Sequence, residues 1–324
     1  MWAWSPTHSD RPLSEWKAQL TLAASLGITD IALDSNAGNQ ELTPSHLTFL
    51  SSVSSLGASL GLRVHMWYLT LLCNLPSLLE APDADQMYAT SRSGSSCLTS
   101  PPHAEWCHFL CPSSPSTLAH TTHVAATLAS LPHAAGVSLD YIRTPSNRCQ
   151  GDPDTEYCFC PSCGGAEGAG SAVVDLVDAI AQAVKGANPR AVFSAAVYPM
   201  LDHAKAAVNQ HWDAFNVDAL LLMAYPTYHG QNYPWIHDVG IDALTHAPPG
   251  CDLYLGLLLH PLLPDPQDDQ PQDDDQPEDD QPQDDQPEDH ETSPSLDTIL
   301  TSYIPDPILP AFFTLDDFLA LSSS

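Results

Sequence analysis

The 324-residue sequence predicts a (β/α)8 barrel, and two observations carry that expectation. Short apolar runs alternate with helix-period stretches along most of the chain, the signature of βα units feeding a parallel sheet. The runs also number eight, the count a closed barrel needs: Trp2–Ser5, Asp30–Asp34, Leu62–Leu69, Gly136–Ile142, Ala191–Tyr198, Ala219–Tyr225, Asp252–Leu258 and Ala311–Leu315. The first and last are short and terminal, so the same alternation also permits an open doubly wound sheet.

The intervening helices are expected over Leu13–Leu26, Pro44–Leu60, Pro115–Leu131, Ser171–Lys185, Lys205–Trp212 and Trp235–Thr245. In the second, Leu47, Leu50, Val53, Leu56 and Leu60 fall on one face, and similar three- and four-residue spacing gives each of the others an apolar stripe. Long connections follow the third run (Thr70–Ser114) and the fourth (Thr144–Gly170). In a barrel both lie on the carboxyl-end face, where substrate sites are built.

The charge balance divides the chain. Of 40 acidic residues, 14 lie between Asp265 and Glu291, where no Lys or Arg occurs. This stretch repeats units such as Gln-Pro-Glu-Asp-Asp and lacks aromatic and branched apolar side chains, so it reads as a disordered, low-complexity insertion that cannot bury surface. The expected organisation is therefore a barrel over residues 1–263 with strands one to seven, an acidic Pro/Gln/Asp insertion over 264–292, and a final helix and strand over 293–324 that close the barrel. Even without the insertion, 26 acids face 9 bases scattered from Arg11 to Lys205. A nucleic-acid surface needs clustered Lys and Arg, so neither nucleic acid nor an anionic membrane is an expected partner. No apolar run reaches the roughly 18 residues of a membrane span. No leader is visible at Met1-Trp2-Ala3-Trp4-Ser5-Pro6, and compartment and oligomeric state stay open.

If the strands close, their carboxyl ends converge on one mouth. That mouth would gather Trp4, Asp34 with Asn36, His65 with Trp67 and Tyr68, Asp140 with Tyr141 and Arg143, Tyr198 with Asp202, Tyr225 with Tyr228 and His229, His260, and Asp316 with Asp317. Aromatic rings stack on the apolar faces of sugars, polar groups bond hydroxyls, and paired carboxyls do acid/base or nucleophilic work at the anomeric carbon. Any one of these residues also reads as packing or capping; the convergence carries the inference. Asp140 stands out because it ends a buried apolar run, with Arg143 close enough to stabilise its charge, although a structural Asp–Arg pair would look the same.

Six strings in order sharpen this reading: Val-His-Met-Trp (64–67), Leu-Cys-Pro-Ser-Ser-Pro (110–115), Gly-Val-Ser-Leu-Asp-Tyr-Ile-Arg (136–143), Cys-Phe-Cys-Pro-Ser-Cys (158–163), Ser-Ala-Ala-Val-Tyr-Pro (194–199) and Leu-Met-Ala-Tyr-Pro (222–226). Together they resemble the glycosyl hydrolase-like 10 group of TIM-barrel proteins. The resemblance implies a barrel acting on, or descended from enzymes acting on, glycosidic bonds. By it Asp140 takes the fourth-strand acidic position, and His65, Arg143 and Tyr225 line the same cleft. The fourth run is also similar in outline to the chitinase family 18 motif, but Ser138 and Ile142 stand where that motif has its first Asp and its Glu. No Glu ends any of the eight runs, so a second carboxyl would come from Asp34, Asp202, Asp316 or Asp317.

Nine cysteines leave at least one unpaired. Cys149, Cys158, Cys160 and Cys163 lie in the connection after the fourth run and suit a structural zinc, disulfides, free structural thiols or a redox role. His103, Cys107 and Cys111 have the four-residue spacing of one helical face but read first as ordinary loop residues, the alternative being that Cys111 pairs with a thiol of the 149–163 group. Three functions remain in view. The leading one is a glycoside hydrolase that uses Asp140 with Asp34 or Asp202 on a poly- or oligosaccharide and needs no catalytic cofactor, with Trp4, His65, Trp67, Tyr141, Arg143, Tyr198, Tyr225 and His229 binding substrate. The others are a non-catalytic carbohydrate-binding barrel and a metal-dependent hydrolase using His65, Asp140 and His229.

Overall fold

Main-chain hydrogen bonds join the eight runs into one closed parallel barrel, in strand order β1 to β8, in a computed structural model that describes residues 2–5, 11–102, 107–145, 156–258 and 295–313. The strands are β1 (Trp2–Ser5), β2 (Asp30–Asp34), β3 (Arg63–Leu69), β4 (Ala134–Asp140), β5 (Val192–Val197), β6 (Ala219–Met223), β7 (Asp252–Leu258) and β8 (Leu309–Phe313). Closure is direct: Trp2 pairs with Asp30 on one side and with Ala311 on the other. The (β/α)8 expectation therefore holds, and the open sheet does not. The expected acidic insertion, His260, Asp316, Asp317, His103 and Cys149 lie outside the described residues.

Strand alternation produces two apolar shells. Outward-facing Ile31, Leu33, Val64, Met66, Val137 and Leu139 are buried against the helices. Inward-facing Trp2, Ala32, Trp67, Tyr254 and Ala311 fill the barrel axis. Around the sheet run α1 (Leu13–Ser25), α2 (Pro44–Ser59), α3 (Pro76–Leu79), α4 (Ala84–Met87), α5 (Pro115–Ala129), α6 (Ala166–Ala187), α7 (Leu201–Val208), α8 (Trp235–His246) and α9 (Leu296–Ser302). At the start of α2, Pro44 occupies the first turn and the Thr43 hydroxyl accepts from the His46 N–H, a proline start joined to a side-chain cap. No helix among the described residues is long and apolar enough to cross a membrane.

Several boundaries differ from the sequence reading for local reasons. Helix α6 begins at Ala166 rather than Ser171 because Gly168 and Gly170 serve packing instead of breaking the helix. A Cβ on Gly170 would lie 2.6 Å from the His211 ring. Helix α7 ends at Val208 because Asn209 turns left-handed at φ 52°, so the expected Lys205–Trp212 helix is two elements, with Trp212 in a separate 3₁₀ turn. Strand β4 stops at Asp140 because Tyr141 has φ 49°, which an extended strand does not tolerate. The one-turn helices α3 and α4 are too short for any period to reveal.

At the amino end of the barrel a polar knot closes the interior. Asp30 accepts from His65 Nε2 at 2.8 Å, from the Arg63 guanidinium at 2.8 Å and from the Thr29 hydroxyl at 2.7 Å. Burial alone would raise the Asp30 pKa, but the bonds from His65, Arg63 and Thr29 outweigh it and hold the carboxylate below its usual range. Burial pushes the His65 pKa down against the pull of Asp30. Because an ionised carboxylate only accepts, the neutral imidazole carries its proton on Nε2. Trp2 stacks on His65 with ring centroids 4.1 Å apart.

Candidate active site at the carboxyl end

The opposite end is open. Inward-facing positions of β4 are Ser138 and Asp140, set there by alternation with the outward Val137 and Leu139. Strand β4 can approach β5 closely because Gly136 has no side chain: a Cβ there would lie 2.0 Å from the Val192 carbonyl oxygen and 2.9 Å from His65 Nδ1. Above this layer a cavity of about 500 Å³, counted out to its mouth, is lined by Trp4, Trp67, Ser138, Asp140, Met223 and Tyr225 among others. Trp4 and Trp67 meet edge to face at 4.9 Å and form one wall.

Among the described residues, two aspartates end strands here, Asp34 on β2 and Asp140 on β4. Asp140 is buried in the cavity lining; its side chain accepts from the Tyr141 N–H at 2.6 Å, and its carbonyl accepts from the Thr70 N–H at 2.8 Å. Burial raises its pKa to about 6, against the Tyr141 bond and the Arg143 charge, which both lower it. Asp34 ends β2 and accepts from the Asn36 N–H at 2.6 Å. Burial raises its pKa to about 6 as well; the Asn36 bond opposes this, and the charge of Asp140 adds to it. The charge of Asp140 on β4 thus reaches Asp34 on β2, two strands away in the barrel. In each case the residue whose N–H meets the carboxylate is left-handed, Tyr141 (φ 49°) directly after Asp140 and Asn36 (φ 52°) two positions after Asp34, so the strand ends there. The Asp34 turn is locked from behind: Ser35 donates its N–H and its hydroxyl to the Trp67 carbonyl, and His46 Nε2 bonds the Ser35 carbonyl at 2.8 Å.

Aromatic side chains build the rim. The Arg143 guanidinium lies over Tyr141 at 4.6 Å, Tyr198 at 5.2 Å and Phe109 at 5.6 Å, and donates to the Thr144 carbonyl at 3.1 Å. Burial, with the Asp140 charge next in weight, drives the Tyr225 pKa well above its usual value, so this phenol remains a neutral donor beside the carboxylate. His229 sits in the 3₁₀ turn Pro226–His229 and contacts Tyr198 at 5.8 Å, His203 at 5.8 Å and Trp235 at 5.2 Å. Burial and the His203 charge lower its pKa. Tyr228 stands 74% exposed above Tyr225.

The sequence-predicted residues separate clearly. Asp34, Asp140, Trp4, Trp67, Tyr141, Arg143, Tyr198, Tyr225 and His229 gather at this end. His65 does not: it is the third residue of the seven-residue β3, deep in the barrel and committed to Asp30. Asp202 does not either, since β5 ends at Val197 and the chain enters α7, whose first turn leaves Asp202 exposed. Among the described residues, the single group of three or more His, Cys, Asp or Glu side chains able to share a metal ion is Cys111, Cys158, Cys160 and Cys163. His65, Asp140 and His229 are therefore not brought together as metal ligands. Ser138, beneath Asp140 and named above only for standing at a motif's Asp position, and His203, beside His229, are additional residues at this end. Ser138 was legible from strand parity, whereas His203 carries no local signal.

Similarity to known proteins is confined to the fold. No family model matches the chain, and no curated protein matches it. Solved structures similar to it include the catalytic domain of a beta-amylase from Paenibacillus polymyxa, at 13% identity over 79% of this chain and 85% of that one, with a TM-score of 0.54. A cycloisomaltooligosaccharide glucanotransferase from Paenibacillus sp., complexed with cycloisomaltoheptaose, aligns at 9% identity over 80% of this chain with a TM-score of 0.57; the chain spans 38% of its length. A GH5_18 protein from Streptomyces cattleya in complex with GlcNAc aligns at 15% identity over 78% of this chain and 60% of that one, with a TM-score of 0.51. At these identities the class defined is a (β/α)8 barrel; the glycosyl hydrolase-like 10 resemblance remains one of short strings.

Proposed function

We propose that this chain is a carbohydrate-active barrel that hydrolyses a glycosidic bond of a poly- or oligosaccharide, with Asp140 and Asp34 as the carboxyl pair. One observation carries the reading: Asp140, its pKa raised to about 6, lines a cavity walled by tryptophan and tyrosine, and its charge reaches a second aspartate, Asp34, whose pKa is also raised to about 6. Glycoside hydrolysis needs one carboxyl protonated to serve the leaving oxygen and one ionised to act as base or nucleophile. The charge of Asp140 favours such a division, because ionising Asp140 makes Asp34 harder to ionise. Trp4 and Trp67 offer faces to pyranose rings, Tyr225 offers a hydroxyl donor, and the Arg143 platform holds the Asp140 side of the cleft. The chemistry needs no cofactor. Fold neighbours that carry sugars agree with this substrate class, but the weight rests on the site.

The test is release of reducing ends from a panel of poly- and oligosaccharides. Asp140→Asn keeps the shape and removes the charge, so turnover should fall by about 10²-fold or more while circular dichroism is unchanged. Unchanged turnover in that variant would remove Asp140 from the chemistry. A wild type that binds a panel member without cleaving any would establish the carbohydrate-binding reading instead.

A further inference from the structure

The four clustered thiols lie outside the carboxyl site and join two connections that the barrel leaves apart. Cys111 closes the connection after β3, just before α5; Cys158, Cys160 and Cys163 lie in the connection after β4. The Cys111 sulfur lies 3.4 Å from that of Cys160, 3.6 Å from that of Cys163 and 3.8 Å from that of Cys158, and all four sulfurs lie within 4.8 Å of one another. A disulfide would need about 2.05 Å. Four sulfurs around one ion at about 2.3 Å stand roughly 3.8 Å apart along the edges of a tetrahedron. The geometry points to a structural zinc site in which Cys111, Cys158, Cys160 and Cys163 are the ligands and the metal staples the two connections.

The surroundings suit thiolates. The Thr90 N–H donates to Cys158 Sγ at 3.4 Å, the Cys163 N–H donates to Cys160 Sγ at 3.3 Å, and the Ser113 hydroxyl lies 3.1 Å from Cys163 Sγ. Such outer contacts offset the negative charge that four thiolates retain around one divalent ion. After Cys163 the chain reverses through Gly164 at φ 67° and Gly165 at φ 122°, whose N–H groups bond the carbonyls of Cys160 and Cys158. This tight turn aims the three sulfurs of one loop at a common point. A buried all-thiolate set selects a soft ion over magnesium or calcium, and each thiol releases its proton as it ligates.

The staple has work to do. The two connections also meet through contacts near the cluster, among them an isolated bridge between Ser91 and Tyr157, a bond from the Phe159 N–H to the Thr90 carbonyl, a bond from the Arg92 N–H to the Glu156 carbonyl, and the Arg92–Glu156 ion pair. Phe109, two residues before Cys111, is one of the rings under Arg143. Holding Cys111 therefore holds the Arg143 side of the cavity, whatever reaction occurs there.

Metal content tests this independently of any activity. Full-length protein purified under reducing conditions should carry about one equivalent of zinc by elemental analysis. Cys111→Ser should lose most of it, while Cys149→Ser and Cys251→Ser keep it. Because Cys111→Ser could misfold, wild-type protein stripped by a chelator is also titrated with Co2+ alone. Four-thiolate coordination should give intense sulfur-to-cobalt charge-transfer and visible d–d absorption at one equivalent, and refilling with Zn2+ should protect the 70–114 connection from limited proteolysis. Zinc retained by Cys111→Ser but lost from Cys149→Ser would overturn the ligand set. Metal-free protein with these cysteines disulfide-paired by mass spectrometry, or a cobalt spectrum without thiolate bands, would overturn the site.

Discussion

Asp30 and Asp34 sit on the same strand and face the same interior, yet their surroundings drive them in opposite directions. Asp30 collects three donors, from His65, Arg63 and Thr29, and its pKa falls despite burial. Asp34 has the Asn36 N–H and the repelling charge of Asp140, and its pKa rises to about 6. Four residues along an extended strand separate them by only about 13 Å. At the amino end the bonds to the carboxylate outweigh its burial, and at the carboxyl end burial outweighs the bonds to Asp34 and Asp140. The first arrangement contributes stability. The second keeps a proton available near neutral pH, at the expense of stability.

This contrast is sharpened most strongly at Asp30. Replacing it with Ala leaves the neutral His65 Nε2–H buried without its acceptor and takes the acceptor from Arg63 and Thr29 as well, and a buried donor orphaned in this way costs about 1–3 kcal/mol. Urea denaturation should show that loss, while hydrolysis per folded molecule changes far less than in Asp140→Asn. If Asp30→Ala abolished turnover without loss of stability, the division between the two ends would break.

The next effect has the opposite sign. A carboxyl with folded pKa near 6 and unfolded pKa near 3.9 binds more protons in the folded state between those values, so it lowers stability as pH rises through that window. Asp140→Asn and Asp34→Asn should each stabilise the protein at pH 7, on the order of 1–3 kcal/mol, and the gain should vanish near pH 4. Asp30 runs the other way: its lowered pKa adds stability above about pH 3.9 that is lost as pH falls through its folded value. Denaturation midpoints at pH 4 and pH 7 decide the matter. An equal gain at both pH values would mean that packing, not charge, is responsible.

The smallest effect is expected from the acidic stretch. Deleting Gln267–Glu291 should change stability by less than about 1 kcal/mol, because loop-closure entropy varies slowly with length and the segment has no apolar side chains to bury. A large fall in melting temperature would show that it contributes to one end of the barrel, and would reopen the division of the chain into 1–263, 264–292 and 293–324.

How much of this was legible in the sequence depends on the range of the interaction. Eight apolar runs, the inward parity of Asp140 and the aromatic residues after the strands are local features, because side-chain direction alternates along a strand and apolarity marks burial. They suffice for the barrel and for most of the rim. Depth is another matter: His65 and Trp67 share one string and one face, but only the structure showed Trp67 level with Asp34 and His65 level with Ala32, its ring bonded down to Asp30. Which aspartate lies near Asp140 was equally hidden, since Asp34 and Asp202 both lie at or just past strand ends, and only the fold put Asp34 within reach of the Asp140 charge while the first turn of α7 left Asp202 in solvent. Cys111 lies 47 residues before Cys158 in the chain, yet the tetrad depends on it. Sequence alone determined which residues face inward; tertiary structure decided which meet, because pairing across strands and loops depends on closure geometry that no local pattern encodes.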